Sequence, residues 1–313
     1  MRPLTGAIQA YDAPATEEIA RRVGLSVEQI VRFDGNTSPQ ALPSTRAEAL
    51  AEELARIHTY PHGGYPRLER AIADYAGATP ENVVLGAGAD DLILLVTRSF
   101  AVPGDQVAIA NDPTYPMFAI SVWVVGAEIG DDEPVLTICC RPNNPTGELG
   151  ELPAARPLVV DEAYFEYSGQ SAVDLIEDSV IVMRTFSKAF GLAGARVGYA
   201  LAGRDAAAEL NQRQHPAPLS TLSAALALAG LAAPPDVTPI LEERERFAGE
   251  LRALGLDPLP SHANFLYVPV DDPQARYDAL LQKGLAVRPV RGGIRITIRT
   301  QQDDDRLLQA LQS

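Results

Sequence analysis

Lys188 sits in the run Arg184-Thr185-Phe186-Ser187-Lys188-Ala189-Phe190-Gly191-Leu192, which continues through Gly194 and Arg196 to Tyr199. A solvated surface lysine would not be flanked by Phe186, Ala189, Phe190 and Leu192. Apolar surroundings disfavour an ammonium, so they lower the amine's pKa from about 10.4 and ease its attack on an aldehyde. Thr185, Ser187 and Arg196 offer two hydroxyls and a guanidinium that can cluster around a phosphate.

Four further groups carry chemistry. Asp161 ends the run Leu158-Val159-Val160-Asp161, with Glu162, Ala163 and Tyr164 after it. A carboxylate there can be a buried ion-pair partner. It can also keep a pyridine nitrogen protonated, so that the ring draws off electrons. Arg141-Pro142-Asn143-Asn144-Pro145-Thr146-Gly147 has turn composition, and the Asn144 amide can donate to a phenolate oxygen. Gly86-Ala87-Gly88-Ala89-Asp90 precedes an apolar helical stretch, whose first amides can bind phosphate. In Asn111-Asp112-Pro113-Thr114-Tyr115, the Tyr115 ring can stack on another ring or join the core.

The elements that must position these groups are short. Asn82–Leu85 reads as a strand. Apolar runs recur at Gln106–Ala110, Val122–Val125, Val135–Cys140, Leu158–Val160, Val180–Met183 and Val197–Leu201. Their Val and Ile content and their length predict buried strands of a mainly parallel sheet. Intervening helical stretches predict an α/β architecture. Helices are expected over Thr16–Val23, Val27–Val31, Arg46–Ile57 and Leu219–Ala233. Pro234, Pro235 and Pro239 mark a break, after which the order is helix, strand (Asn264–Val268), helix (Gln274–Lys283), strand (Gly293–Ile298) and helix. The resulting division is an N-terminal arm contributing to a small α+β domain (1–40), a large domain (41–233) and the rest of the small domain (234–313). Thr300 is expected to cap the last helix, with Asp303–Asp305 facing the positive end of its dipole.

Composition sets the exclusions. Lys and Arg number 26 against 41 Asp and Glu, a formal charge of −15, which opposes binding to nucleic acid or to an anionic membrane. No run of roughly 18 apolar residues reads as a membrane span. Cys139 and Cys140 are adjacent and apolar in setting, which predicts buried thiols and a reducing, cytoplasmic location. The four histidines are scattered without ligand spacing, so no metal is assigned.

Taken together and in this order, the five motifs resemble the fold-type-I aminotransferases that use pyridoxal 5′-phosphate (PLP), and within them the histidinol-phosphate subgroup. The stretches Pro113–Phe118, Pro142–Glu148, Val159–Tyr167, Arg184–Tyr199 and Gly293–Thr300 carry the likeness, which spans about residues 34 to 313. The resemblance implies a mainly parallel seven-stranded large domain and a small α+β domain. It implies that Lys188 holds PLP as an imine and shuttles protons, with Asp161 at the pyridine nitrogen, Asn144 and Tyr164 at the phenolic oxygen, and Tyr115 stacked on the ring. Ala89, Asp90, Thr185, Ser187 and Arg196 would hold the phosphate. Tyr60 would reach the phosphate across a homodimer interface, with Tyr65 as the other candidate. Arg295, assisted by Arg288, would bind the substrate anion, with Asn36 and Gln40 also facing substrate. The implied reaction passes an amino group from an amine donor, histidinol phosphate in histidine biosynthesis, to a 2-oxo acid such as 2-oxoglutarate. An aromatic aminotransferase, a threonine-phosphate decarboxylase-like enzyme and a non-catalytic PLP-binding protein are the alternatives.

The chain departs from the subgroup's pattern in three places. Only 13 residues (148–160) separate Gly147 from Asp161, so a helix pair is expected to be trimmed. Phe33-Asp34-Gly35-Asn36-Thr37-Ser38-Pro39-Gln40 replaces an Asn-Glu-Asn-Pro-Tyr pattern, putting Gln40 in a tyrosine's place. Arg299 stands where glycine is usual and is expected on the surface.

Overall fold

The computed structural model describes residues 14–39, 50, 51, 53–61 and 63–312. Much of the helix expected over Arg46–Ile57 lies outside the described residues, as does Gln40.

After β1 (Val31–Arg32), the valine-rich runs become β2 (Val83–Gly86), β3 (Gln106–Ile109), β4 (Glu128–Ile129), β5 (Leu136–Cys140), β6 (Leu158–Asp161), β7 (Val180–Thr185) and β8 (Gly198–Leu201). These seven, β2 to β8, form one sheet in the order β2-β8-β7-β6-β5-β3-β4. β8 runs antiparallel to both neighbours, and every other pairing is parallel. Strand pleating sends alternate residues to opposite faces. Leu158 and Val160 enter a core with Ile72, Phe186 and Phe190, whereas Val159 enters a second core with Leu92 and Phe118. Both faces of the sheet are therefore covered, which is why its central strands are apolar along their whole length.

Val122–Val125 does not form a strand. It is the last turn of a helix over Pro116–Val125, and the strand beside it is the short, exposed β4. Pro116 opens that helix, Gly126 at φ 84° closes it, and Phe118, Ser121 and Val122 form its buried stripe at helical spacing. An apolar run of four residues carries no period that distinguishes a strand from a helix. The second expected helix, Val27–Val31, shrinks to a single 3₁₀ turn at Val27–Gln29 that leads into β1. The connection from β5 to β6 has no helix, in keeping with its shortness.

β9 (Phe265–Pro269), β11 (Arg288–Val290) and β12 (Gly293–Thr297) form an antiparallel sheet in the order β11-β12-β9, while β10 (Leu285–Ala286) pairs in parallel with β1. Val31 and Phe33 share one core with Phe247, Leu251, Ile294, Ile296 and Leu307, so the chain's early and late segments pack as a unit. The Thr300 hydroxyl accepts the Asp303 N–H at 3.2 Å, capping the last helix. Among the described residues, no helix is long and apolar enough to cross a membrane.

One charged pair is fully buried. Arg184 Nε donates to Glu162 Oε2 at 3.0 Å, its Nη2 donates to Ser171 Oγ at 2.7 Å, and its guanidinium lies 3.5 Å over the Phe165 ring. Glu162 also accepts the Ala172 N–H at 2.6 Å. The pair follows Asp161 on one strand and precedes Thr185 on the next, so it ties together the ends that carry both. Removing one partner of such a pair strands the other's charge, at about 3–5 kcal/mol. Glu162→Gln should therefore lower the urea midpoint of unfolding substantially, and Glu162→Leu combined with Arg184→Met should recover most of the loss. A single variant of unchanged midpoint would contradict this account.

Candidate active site

A cavity of about 220 Å³ opens at the carboxyl edge of the large sheet. Because β8 runs antiparallel, its start lies at the same edge as the ends of β2 and β7. Three chain segments thus converge there: Gly86–Asp90 after β2, Thr185–Lys188 at the end of β7, and Arg196 before β8. The approach is close enough to require glycines. A Cβ on Gly198 would lie 2.8 Å from the Gly88 carbonyl carbon, and one on Gly88, at φ 89°, would lie 2.7 Å from Arg196 Nη2.

This end of the cavity is built for an anion. The helix Ala89–Phe100 starts at Gly88 with no side chain capping its first amides, which leaves the positive end of its dipole open. Arg196 Nη1 approaches Ser187 Oγ at 3.5 Å, and the Thr185 hydroxyl donates to the same oxygen at 3.0 Å. Arg196 Nη2 also pairs with Asp90 Oδ2 at 3.2 Å. Tyr115 lines the cavity with its hydroxyl donating to Asp90 Oδ1 at 2.8 Å and its ring edge-on to Phe118.

The other end holds a buried carboxyl and an amine. Asp161 accepts the Ala163 N–H at 3.0 Å, and burial pushes its pKa up to about 7. Burial also brings Lys188 down to about 8, with the positive Arg295 adding to the effect and Asp161 opposing it. Lys188 Nζ donates to the Gly35 carbonyl at 3.3 Å.

The wall is completed from the small sheet. Arg295, 5% exposed, donates to Asn144 Oδ1 at 2.6 Å and to the Asp34 carbonyl, while its buried Nε has no partner. A guanidinium has no acceptor, so Asn144 must face it with oxygen and keeps its NH₂ for the cavity. Asn36 donates from Nδ2 to the Tyr164 hydroxyl at 2.9 Å, and Tyr164 packs edge-on against Phe265 with ring centroids 5.1 Å apart.

The cavity therefore gathers Ala89, Asp90, Tyr115, Asn144, Asp161, Tyr164, Thr185, Ser187, Lys188, Arg196, Arg295 and Asn36. Others of the expected set lie elsewhere. Tyr60 is 80% exposed, while Tyr65 is buried with its hydroxyl donating to the Leu219 carbonyl. Arg288 does not line the cavity. It lies on β11, directly across the ladder from Arg295, so the two side chains share a face. Arg299 is not a solvated surface residue: its Nε donates to Asp303 at 2.9 Å and its Nη1 to the Arg32 carbonyl at 3.2 Å, clamping the last helix to β1. Sequence reasoning missed Gly35, Thr37, Cys140, Ala163 and Ala193 as lining residues. Gly35 acts through its carbonyl, which no residue type reveals.

The raised Asp161 pKa has a thermodynamic consequence for the cofactor-free protein. Between the unfolded value near 4 and the folded value near 7, the folded state binds the extra proton, so this group's contribution to stability falls as pH rises through that window. Asp161→Asn should therefore match wild type near pH 4 and exceed it above pH 7, by roughly 3–5 kcal/mol. Urea unfolding of both proteins across pH 4–8 checks this, and a pH-independent difference would count against it.

The geometry can be compared with known proteins. The model of the family "Aminotransferase class I and II" matches residues 23–131 and 127–311. A histidinol-phosphate aminotransferase of Gloeobacter violaceus is 35% identical over 98% of this chain and 95% of its own length. One from Thermoanaerobacter pseudethanolicus is 33% identical over 91% of this chain and 93% of its own. The crystal structure of histidinol-phosphate aminotransferase from Sinorhizobium meliloti in complex with pyridoxal-5′-phosphate superposes with a TM-score of 0.83 at 27% identity, covering 98% of this chain and 96% of that one. On a family match that runs through both sheets and relatives aligned over nearly its whole length, the chain belongs to the class I and II aminotransferases, enzymes of the PLP fold type I.

Proposed function

We propose that this PLP-dependent aminotransferase takes its amino group from histidinol phosphate and passes it to a 2-oxo acid, 2-oxoglutarate by resemblance, in histidine biosynthesis. The observation that carries the donor assignment is Arg295. It is a buried guanidinium that meets only neutral oxygens and keeps one buried N–H without a partner. Such a cation is completed by an anion. Arg288 stands across the ladder on the same face, and two guanidiniums would suit a dianionic phosphate where a carboxylate needs one. The names of the relatives agree with this reading.

The donor set fits PLP. The open helix start with Thr185, Ser187 and Arg196 suits its phosphate, Asp161 its ring nitrogen, and the Asn144 NH₂ and Tyr164 hydroxyl its phenolic oxygen, with Tyr115 beside the ring. Ala89 and Asp90 contribute first-turn amides. PLP, when bound, supplies an aldehyde that condenses with amines and a ring that accepts an electron pair. The protein does the rest. Lys188 would be the amine that holds that aldehyde, and a pKa near 8 keeps an appreciable fraction of Nζ neutral at physiological pH. The same Nζ moves the proton from the donor's amine-bearing carbon. Asp161 becomes the fixed negative partner of a ring cation, which draws its own pKa back down. Arg295 and Arg288 orient the donor's far end.

A homodimer completes the site in this reading. Leu54, Ile57 and Tyr60 are 56%, 54% and 80% exposed within one short stretch, an apolar surface that a second copy would cover, and Tyr60 would then serve the partner's phosphate, as the resemblance implies. The unpaired, buried Cys139 and Cys140 suit the cytoplasm.

Three measurements bear on this. Borohydride reduction of the PLP-loaded protein should fix the cofactor to Lys188, and Lys188→Ala should lose transamination; an adduct on Lys283 would sink the assignment. Histidinol phosphate should exceed histidinol and phenylalanine in kcat/KM by more than about tenfold, or roughly 1.4 kcal/mol; phenylalanine as the better donor would favour an aromatic aminotransferase. Light scattering should give a dimer, with Tyr60→Phe weakening PLP retention; a fully active monomer excludes a shared site.

A further inference from the structure

Three consecutive residues, far from the motifs in sequence, touch three different cavity groups. The Asp34 carbonyl accepts from Arg295, the Gly35 carbonyl accepts from Lys188 at 3.3 Å, and the Asn36 amide donates to the Tyr164 hydroxyl at 2.9 Å. Asn36 is 1% exposed and holds the left-handed conformation at φ 51°. Its backbone N–H donates to Thr297 Oγ1 at 2.9 Å, and its carbonyl accepts from Asn264 Nδ2 at 3.1 Å. These bonds anchor the backbone, so the side chain is aimed rather than adrift.

The orientation of the Asn36 amide decides what Tyr164 can do. The Thr297 hydroxyl lies 3.0 Å from Asn36 Oδ1 and also 2.6 Å from the Phe33 carbonyl. That carbonyl, with two lone pairs, also accepts the Thr297 N–H at 2.8 Å, and the hydroxyl donates towards both it and Oδ1. Oδ1 then faces Thr297, and Nδ2 faces Tyr164. A phenol has one proton and two lone pairs. Because Nδ2 can only donate, Tyr164 must accept from it, and its single proton is left for the cavity. Burial also raises the Tyr164 pKa, so the phenol keeps that proton.

We propose that Asn36, rather than touching substrate, is a positioning residue: its amide, oriented by Thr297, turns the Tyr164 hydroxyl proton towards the cofactor. The inference rests on the reading of Tyr164 at the phenolic oxygen. A donor at that oxygen stabilises the deprotonated form of the bound chromophore. Losing it should raise the pH midpoint of the chromophore's visible absorption.

The test is an absorbance titration of PLP-loaded wild type, Asn36→Asp, Asn36→Gly, Tyr164→Phe and the two double variants. Asn36→Asp keeps the shape and tolerates the backbone angle but can only accept, so it captures the tyrosine's proton. Asn36→Gly removes the amide and also tolerates φ 51°. Each single variant should raise the midpoint by about one pH unit, the worth of one hydrogen bond to a charged group. In the Tyr164→Phe background, either Asn36 change should add less than a third of that, because the hydroxyl it directs is gone. Shifts that persist undiminished in that background, or no shift in either single variant with PLP retained, would overturn the inference. If Tyr164→Phe itself leaves the midpoint unmoved, or wild type takes up no PLP, the reading beneath it fails instead.

Discussion

Exclusion of water from one small cavity is the condition on which the site depends. It acts on two groups of opposite charge in opposite directions, and both end nearer neutrality. Asp161 is raised to about 7 and Lys188 lowered to about 8 by the same cause, desolvation. In water the two would be an anion and a cation with little reason to react. Here each stands within about a unit of neutral pH, where a small change in surroundings alters its proton. A bound cationic ring would return Asp161 to its charged form, and that exchange is a source of affinity as well as of chemistry.

Such a cavity needs walls that hold most of their polar atoms in hydrogen bonds, and the topology brings those walls together. One antiparallel strand in an otherwise parallel sheet turns the start of β8 towards the ends of β2 and β7, so the anion-binding segments meet without any long loop. On the far side of the same strand ends, Glu162 and Arg184 neutralise each other in the core, which fixes the backbone on which Asp161 and Thr185 sit. The small sheet closes the remaining side with Arg295 and Thr297.

How much of this was legible in the sequence follows from what each residue contributes. Lys188, Asp161, Asn144 and Arg196 carry side chains of distinctive chemistry in local motifs, and the structure gathers them around one cavity. The central strands were found because burial on both faces leaves uninterrupted valine and isoleucine. Val122–Val125 misled for the same reason, since an apolar helix face and a buried strand look alike over four residues. Arg299 is not solvated because the Arg32 carbonyl is brought to it by the fold alone, while its other partner, Asp303, is a neighbour four residues on. Gly35 was overlooked because a carbonyl oxygen is common to all residues. Arg288 is set opposite Arg295 by a hairpin register that residue types alone do not reveal. The subunit arrangement and the exact domain limits leave no such mark on any single residue.

The bond between Asn36 and Thr297 joins residues 261 positions apart. A ribosome emits residue 36 well before residue 297, so the wall supplied by β12 joins the cavity only after the rest of its lining has emerged. The motif lysine emerges well before the strand that walls it in. A chain that ended before β12 would carry every signature residue of the lysine loop and yet lack Arg295 and Thr297, and with them one wall of the pocket.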